Sequence, residues 1–171
     1  FVGMLCAICL FLFAYKGRKS IDGIMCNAAG ILGSLVALVS CEFDEFSPGA
    51  FSRGIDQFNG QGMVHNIIAG IFLLTLAYVS IVIFTRFDKE YPAETKKQKR
   101  NKLYRVCGWV IVACVIACAI VMYIANKESQ NPSPDWIYEK TPVFYFEAIA
   151  LWAFGLSWLV KGDTLWRDQK S

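Results

Sequence analysis

Apolar segments alternate with polar ones along the whole chain, and the clearest of them runs from Gly62 to Thr85. It contains no Asp, Glu, Lys or Arg across its 24 residues. An α-helix rises ~1.5 Å per residue, so this segment would be about 36 Å long and would cross a hydrocarbon core of ~30 Å. The pattern therefore predicts an all-α polytopic transmembrane bundle in a single domain over 1–171, with five helices at about 1–16, 21–42, 63–86, 103–126 and 142–162.

The composition also favours a membrane protein. Of the 171 residues, 56% are hydrophobic and only 18% are charged, which is too apolar for a typical soluble domain. Apolar sequence begins at Phe1, with no charged region before it and no small-residue cleavage motif after it. We therefore expect a truncated membrane segment here and not a signal peptide.

The seven cysteines are odd in number and lie almost wholly within the apolar runs. A secreted disulfide framework would need paired cysteines in polar segments, so this usage argues against one. We expect the cysteines to act as small packing residues inside the bundle.

Basic residues mark the orientation of the predicted bundle. The polar segments after the first, third and fifth apolar runs hold 3, 8 and 3 Lys and Arg residues, whereas the two other loops hold 1 and 2 of the 17 in the chain. Cytoplasmic loops of membrane proteins carry an excess of basic residues. The 87–102 loop and the C-terminus are therefore predicted to be cytoplasmic. The run of basic residues in that loop is interpreted as a solvated segment, with contact to anionic lipid as the main alternative.

Two stripes of small residues predict where the helices pack. Small side chains allow close helix approach in lipid, where packing and hydrogen bonds replace the hydrophobic drive. On the second helix the stripe predicts an interface across which Asn27 bonds. The predicted packing residues of the two stripes are Gly23, Asn27, Gly30, Ser34 and Ala37 on the second helix, and Gly70, Ala77 and Ser80 on the third.

Four ionisable residues lie in or beside apolar runs on the predicted outer side: Glu42, Asp44, His65 and Glu147. Burying such groups in a membrane is costly, so they are candidates for function. Three interpretations stay open. The four could hold Zn²⁺ or act as acid and base around a hydrolytic water. His65 and Glu147 could instead pair between two helices, or each could simply reach interfacial water. On the cytoplasmic side, Asp22, Ser157 and Lys161 are expected to pair structurally across helix ends.

Motifs of the common enzyme classes do not occur in the chain. There is no Gly-x-Ser-x-Gly, His-Glu-x-x-His, P-loop or dinucleotide fingerprint. With one histidine, haem ligation is not expected. Nucleic-acid binding is not expected either, because the basic run has no aromatic interleaving.

Four segments carry a resemblance to a known family: FVGMLCAICLFLFAYKG, HNIIAGIFLLTLAYVSIVIFT, YRVCGWVIVAC and EAIALWAFGLSWLVKG. Together they resemble small, uncharacterised bacterial multi-pass inner-membrane proteins of unknown function. The resemblance implies a six-helix parent and an inner-membrane setting, but no activity. A more distant likeness is to membrane hydrolases related to alkaline ceramidase, which use Ser, Asp and several His around zinc, whereas His65 is the single histidine here.

The leading hypothesis is a non-catalytic helical bundle that acts as an accessory subunit, a scaffold or a binder of lipid or small molecules. Its expected partners are membrane lipids, other membrane subunits or a second copy of the chain, and no cofactor is implied beyond the zinc of the alternative. That alternative is a metal-dependent lipid hydrolase built on His65 with Glu147 and Glu42 or Asp44. A third hypothesis is a proton-coupled transporter acting through Glu147.

Overall fold

The computed structural model describes residues 2–15, 20–38, 61–86, 95–127 and 142–162. Over these residues it is 95% helical and contains no strand, which confirms the predicted all-α fold. The five helices are α1 (Val2–Ala14), α2 (Ser20–Leu38), α3 (Gln61–Tyr78), α4 (Thr95–Lys127) and α5 (Pro142–Lys161), and a π-helix at Val79–Ile83 continues α3 without a break.

Four of the described helices are long and apolar enough to cross a membrane, over Ser20–Leu38, Val64–Ile83, Gln98–Ile124 and Pro142–Lys161. Helix α1 is shorter, with 13 residues. Large apolar side chains point outward from these helices: Ile24, Trp109 and Trp152 are 60%, 64% and 72% exposed. Exposed apolar side chains of this size and number suit lipid as the surrounding solvent. The observed fold is thus compatible with the membrane protein predicted from the sequence.

Two helix ends differ from the predicted ones. Helix α4 begins at Thr95 and not at 103, so 95–102 is helical and the prediction of a loop over 87–102 is wrong for that part. The additional helical segment, TKKQKRNK, contains Lys, Gln and Arg, which have good helix propensity, and it contains no Gly or Pro. Helix α2 is described to Leu38, and the predicted continuation to 42 lies outside the described residues.

The chain divides into two compact units, Phe1–Thr75 and Leu76–Ser171. In the first unit α1 packs against α2. Gly33 lies at a close approach, because an added Cβ there would lie 2.6 Å from Cys9 Sγ and 2.9 Å from the Phe72 ring. At Gly30 it would lie 2.9 Å from the Phe13 ring. Both glycines therefore permit helix contact that a larger residue would obstruct.

The packed face of α2 is offset by one residue from the predicted stripe. Its buried residues are Asp22, Cys26, Ala29, Gly30, Gly33 and Val36. Of the predicted stripe, Gly30 belongs to this face, Ser34 and Ala37 are half-buried and Asn27 is exposed. Apart from adjacent residues and the backbone of its own helix, no described atom lies within 4 Å of a Cβ built at Gly23, and the same holds for Gly70 on α3.

In the second unit, α4 packs against α5 and against the π-helix. At Gly108 of α4 an added Cβ would overlap the side chain of Ile81 and lie 3.2 Å from the Ala77 carbonyl oxygen. Ala77 and Ser80, two predicted packing residues, are both buried. The core of this unit is largely apolar, with Leu76, Val79, Ile111 and Ala150 all at 0% exposure.

Candidate functional site

The second unit contains a buried polar cluster centred on two serines. Ser80 in the π-helix and Ser157 on α5 have hydroxyl oxygens 2.8 Å apart. The Ser80 hydroxyl also lies 3.0 Å from the carbonyl oxygen of Tyr104 on α4. Both serines are 0% exposed. The cluster therefore links three helical segments at one point in the interior.

The number of hydroxyl protons on Ser80 and Ser157 limits which of their hydrogen bonds can form at the same time. Ser157 has a second acceptor, the Ala153 carbonyl of its own helix, at 3.2 Å. Each hydroxyl has a single proton to donate. The two shortest contacts are satisfied together when Ser157 donates to Ser80 and Ser80 donates to the Tyr104 carbonyl. In that arrangement every proton is used between helices and none within α5.

The π-helix shapes the end of the third helical segment. Its wide turn is closed by the Phe84 N–H, which donates to the Val79 carbonyl at 2.9 Å. The Thr85 hydroxyl donates back to the Ile81 carbonyl and caps the end of the segment. π-helical turns are rare and are found frequently at functional positions. Here the turn carries Ser80 and leads directly into Phe84, which is 2% exposed.

Phe84 is the centre of an aromatic group made with Tyr104, Phe154 and Trp158, whose ring centroids lie 5.7, 6.2 and 5.7 Å from its own. Lys161, in the last turn of α5, places Nζ 5.8 Å from the centroid of the Phe84 ring. The same ammonium donates to the Phe84 carbonyl at 3.5 Å. A cation at this position stabilises both the ring face and the C-terminal end of a helix.

A surface groove follows α4 on the side turned away from this core, and its volume is about 640 Å³. The described residues of its lining all belong to α4: Gln98, Asn101, Lys102, Arg105, Val106, Trp109, Val110 and Ala113. The lining is polar and basic over the first two turns and apolar over the next two. The groove therefore offers different chemistry at its two ends.

Tyr104 connects the buried cluster with the groove. Its carbonyl accepts from Ser80, its ring packs on Phe84, and it is only 4% exposed. Its neighbour Arg105 lies in the groove and is exposed. Because Tyr104 is held on the inner side, α4 cannot rotate without breaking these contacts. The inner cluster thus sets the direction in which Arg105 points.

The predicted ionisable candidates are placed as follows. His65 is half-buried on α3 in the first unit, and Glu147 is half-buried on α5 in the second. Glu42 and Asp44 lie outside the described residues. Within the described helices no three His, Cys, Asp or Glu side chains gather closely enough to hold a metal ion. A zinc site and a His65–Glu147 pair both stay predictions.

Asp22 is buried on α2, in the first unit, whereas Ser157 and Lys161 bond to Ser80 and Phe84 within the second. The role of Tyr104 as a hydrogen-bond acceptor could not be predicted from the sequence, because every residue has a backbone carbonyl. The groove had a readable signal: basic and polar residues at 98, 102 and 105 precede apolar ones at 106, 109 and 113, all at helical spacing.

The fold and these contacts define a class of protein: an all-α chain with four described helices suited to crossing a membrane. No protein-family model matches the sequence, and no match was found among curated proteins or among solved structures. The function is therefore argued from the residues of this chain.

Proposed function

We propose that this protein is a non-catalytic integral membrane protein that binds an amphiphilic molecule along α4. The observation that supports this proposal is the groove on α4. Its lining passes from Gln98, Lys102 and Arg105 to Val106 and Ala113 along one helix face. An amphiphile has a polar headgroup followed by an apolar tail, so its two parts match the polar and the apolar part of this lining. A volume of about 640 Å³ is within the usual range of sites for small ligands.

The architecture of the second unit supports a binding role. The bond from Ser80 to the Tyr104 carbonyl and the Gly108 contact hold α4 against its neighbours from the inner side. A preorganised surface binds with a smaller loss of conformational entropy than a mobile one. The groove is thus presented by a helix whose rotation is already restricted.

The setting we propose is a bacterial inner membrane, with the basic segment 87–102 and the C-terminus on the cytoplasmic side. The support is the distribution of 17 basic residues along the chain and the resemblance of four segments to bacterial inner-membrane proteins. Outward apolar side chains such as Ile31 on α2 and Trp152 on α5 suit contact with lipid tails, with other membrane subunits or with a second copy of the chain.

Two measurements test this function. The full chain should stay in the membrane pellet after extraction with alkaline carbonate, and release into the supernatant would contradict an integral protein. The purified chain in neutral detergent should retain co-purified lipid without converting it. We would incubate it with phospholipid and sphingolipid and follow products by mass spectrometry. Lipid cleavage that is lost in His65→Ala, together with stoichiometric zinc, would replace the proposal by the hydrolase hypothesis.

A further inference from the structure

The groove on α4 has the dimensions of one lipid leaflet. Its described lining extends from Gln98 to Ala113, which is about 22 Å along a helix. The apolar part from Val106 to Ala113 covers about 10 Å, about two-thirds of the ~15 Å depth of half a hydrocarbon core. The part of a single acyl chain nearest its headgroup can lie along this length beside the helix.

The residues of the groove share one face because of their spacing. Lys102, Arg105 and Trp109 follow one another at steps of three and four, which brings them to the same side of an α-helix. The opposite side holds Tyr104, at 4% exposure, and Ile111, at 0%. Since that opposite side is the packed one, the basic and aromatic side chains must face outward.

Charge decides which amphiphile the groove suits. Lys102 and Arg105 are exposed cations at the point where the lining becomes apolar. Arg presents a planar set of donors that matches phosphate oxygens, and Lys adds a compact positive charge. Trp109, 64% exposed one turn further on, is a residue type that collects at the headgroup level of membranes. A free phosphate would leave this apolar part of the groove without a partner.

We infer that the groove on α4 binds an anionic glycerophospholipid. Its phosphate-containing headgroup lies at Lys102 and Arg105, and one acyl chain lies along Val106, Trp109 and Ala113. The inference rests on the proposed function and deepens it, because it names the charge and class of the amphiphile.

The test uses the full chain in neutral maltoside micelles, titrated with phosphatidylglycerol or phosphatidylcholine that carries brominated acyl chains. Bromine quenches nearby tryptophan, and the difference between the wild type and Trp109→Phe isolates the signal of Trp109. The variant K102Q/R105Q removes the two groove cations. The matched control K99Q/R100Q removes the same charge from the same helix at positions outside the groove lining.

We expect phosphatidylglycerol to quench Trp109 at lower concentration than phosphatidylcholine. In K102Q/R105Q the apparent affinity for phosphatidylglycerol should fall about 30-fold, with phosphatidylcholine unchanged. K99Q/R100Q should retain most of the preference, and K102R/R105K should restore much of it. Unchanged melting temperatures would show that the variants are folded.

Three results would overturn the inference. Equal quenching by both lipids would leave amphiphile binding intact but remove its charge preference. Equal loss in K102Q/R105Q and K99Q/R100Q would reduce the effect to general surface electrostatics. If neither lipid quenched Trp109, both the inference and the proposed binding function would fail. Equal quenching by both lipids would overturn the inference alone, so the two failures can be told apart.

Discussion

The hydroxyl oxygens of Ser80 and Ser157 lie 2.8 Å apart, although 77 residues separate them in the chain. Both side chains are 0% exposed, and Ser80 also donates to the Tyr104 carbonyl. Three helical segments therefore meet at one hydrogen-bonded point. Its strength and its consequences for α4 can be measured directly.

Replacing the serines should give a coupled loss of stability. S80A and S157A should each lower the free energy of unfolding by about 1 kcal/mol. The double variant should lose less than the sum of the two, with a coupling of about 0.6 kcal/mol, typical of interhelical hydrogen bonds in membranes. Unfolding by SDS in mixed micelles gives these values through a double-mutant cycle.

A matched cycle uses Thr75, whose hydroxyl donates to the Ile71 carbonyl of its own helix at 2.8 Å. The pair T75A and S157A should show no coupling. Additive losses for S80A and S157A would mean that the two hydroxyls do not bond in the folded protein.

The contact at Gly108 should tolerate no side chain. In Gly108→Ala the new Cβ would overlap Ile81, and overpacking of this kind costs about 1–3 kcal/mol. The control is Gly155→Ala on α5, where no described atom lies within 4 Å of an added Cβ. That change should be neutral or should stabilise by up to about 1 kcal/mol through helix propensity. Equal melting temperatures for the two variants would contradict the close approach of α4 and the π-helix.

Gly33 should behave in the same way in the first unit, with a specific rescue. Gly33→Ala should destabilise because its Cβ would lie 2.6 Å from Cys9 Sγ. Adding Cys9→Ala removes that sulfur and should recover part of the loss, the remainder being due to the Phe72 ring at 2.9 Å. Gly23→Ala, with no described neighbour within 4 Å, is the control. If Cys9→Ala restored none of the stability lost in Gly33→Ala, the predicted contact between residue 33 and Cys9 would be wrong.

Lys161 should stabilise the end of the π-helical segment through its charge. Lys161→Met keeps much of the apolar stem but removes the ammonium from the Phe84 ring and carbonyl. We expect a loss of about 0.5–1 kcal/mol, since a cation over an aromatic ring is worth about that much at an accessible position. Lys161→Arg should retain the cation–π part of the effect. Thermal unfolding in detergent distinguishes them, and a Met variant as stable as the wild type would show that the charge contributes nothing.

Helix positions could be predicted because uncharged runs of about 20 residues have few alternatives in a membrane. The start of α4 at Thr95 could not be predicted, because the composition of the basic residues after Pro92 is compatible with either a solvated loop or a helix. The packing face of α2 was predicted one residue out of phase. Gly23, Asn27, Gly30, Ser34 and Ala37 repeat at steps of four and three, and so do Asp22, Cys26, Ala29, Gly33 and Val36. Both stripes contain small residues, so only the contacts with Cys9 and Phe13 of α1 and with Phe72 of α3 distinguish them.

The amino-acid sequence alone determined the helical class and the apolar length of the segments, because these depend on local composition and on the cost of unsatisfied backbone groups in lipid. Tertiary structure decided which residues meet. The contacts of Ser80 with Ser157, of Lys161 with Phe84 and of Gly108 with Ile81 join distant parts of the chain. Such contacts depend on the rotation of each helix about its axis. That rotation is set by the shapes of the packed surfaces and not by the order of residues within one helix.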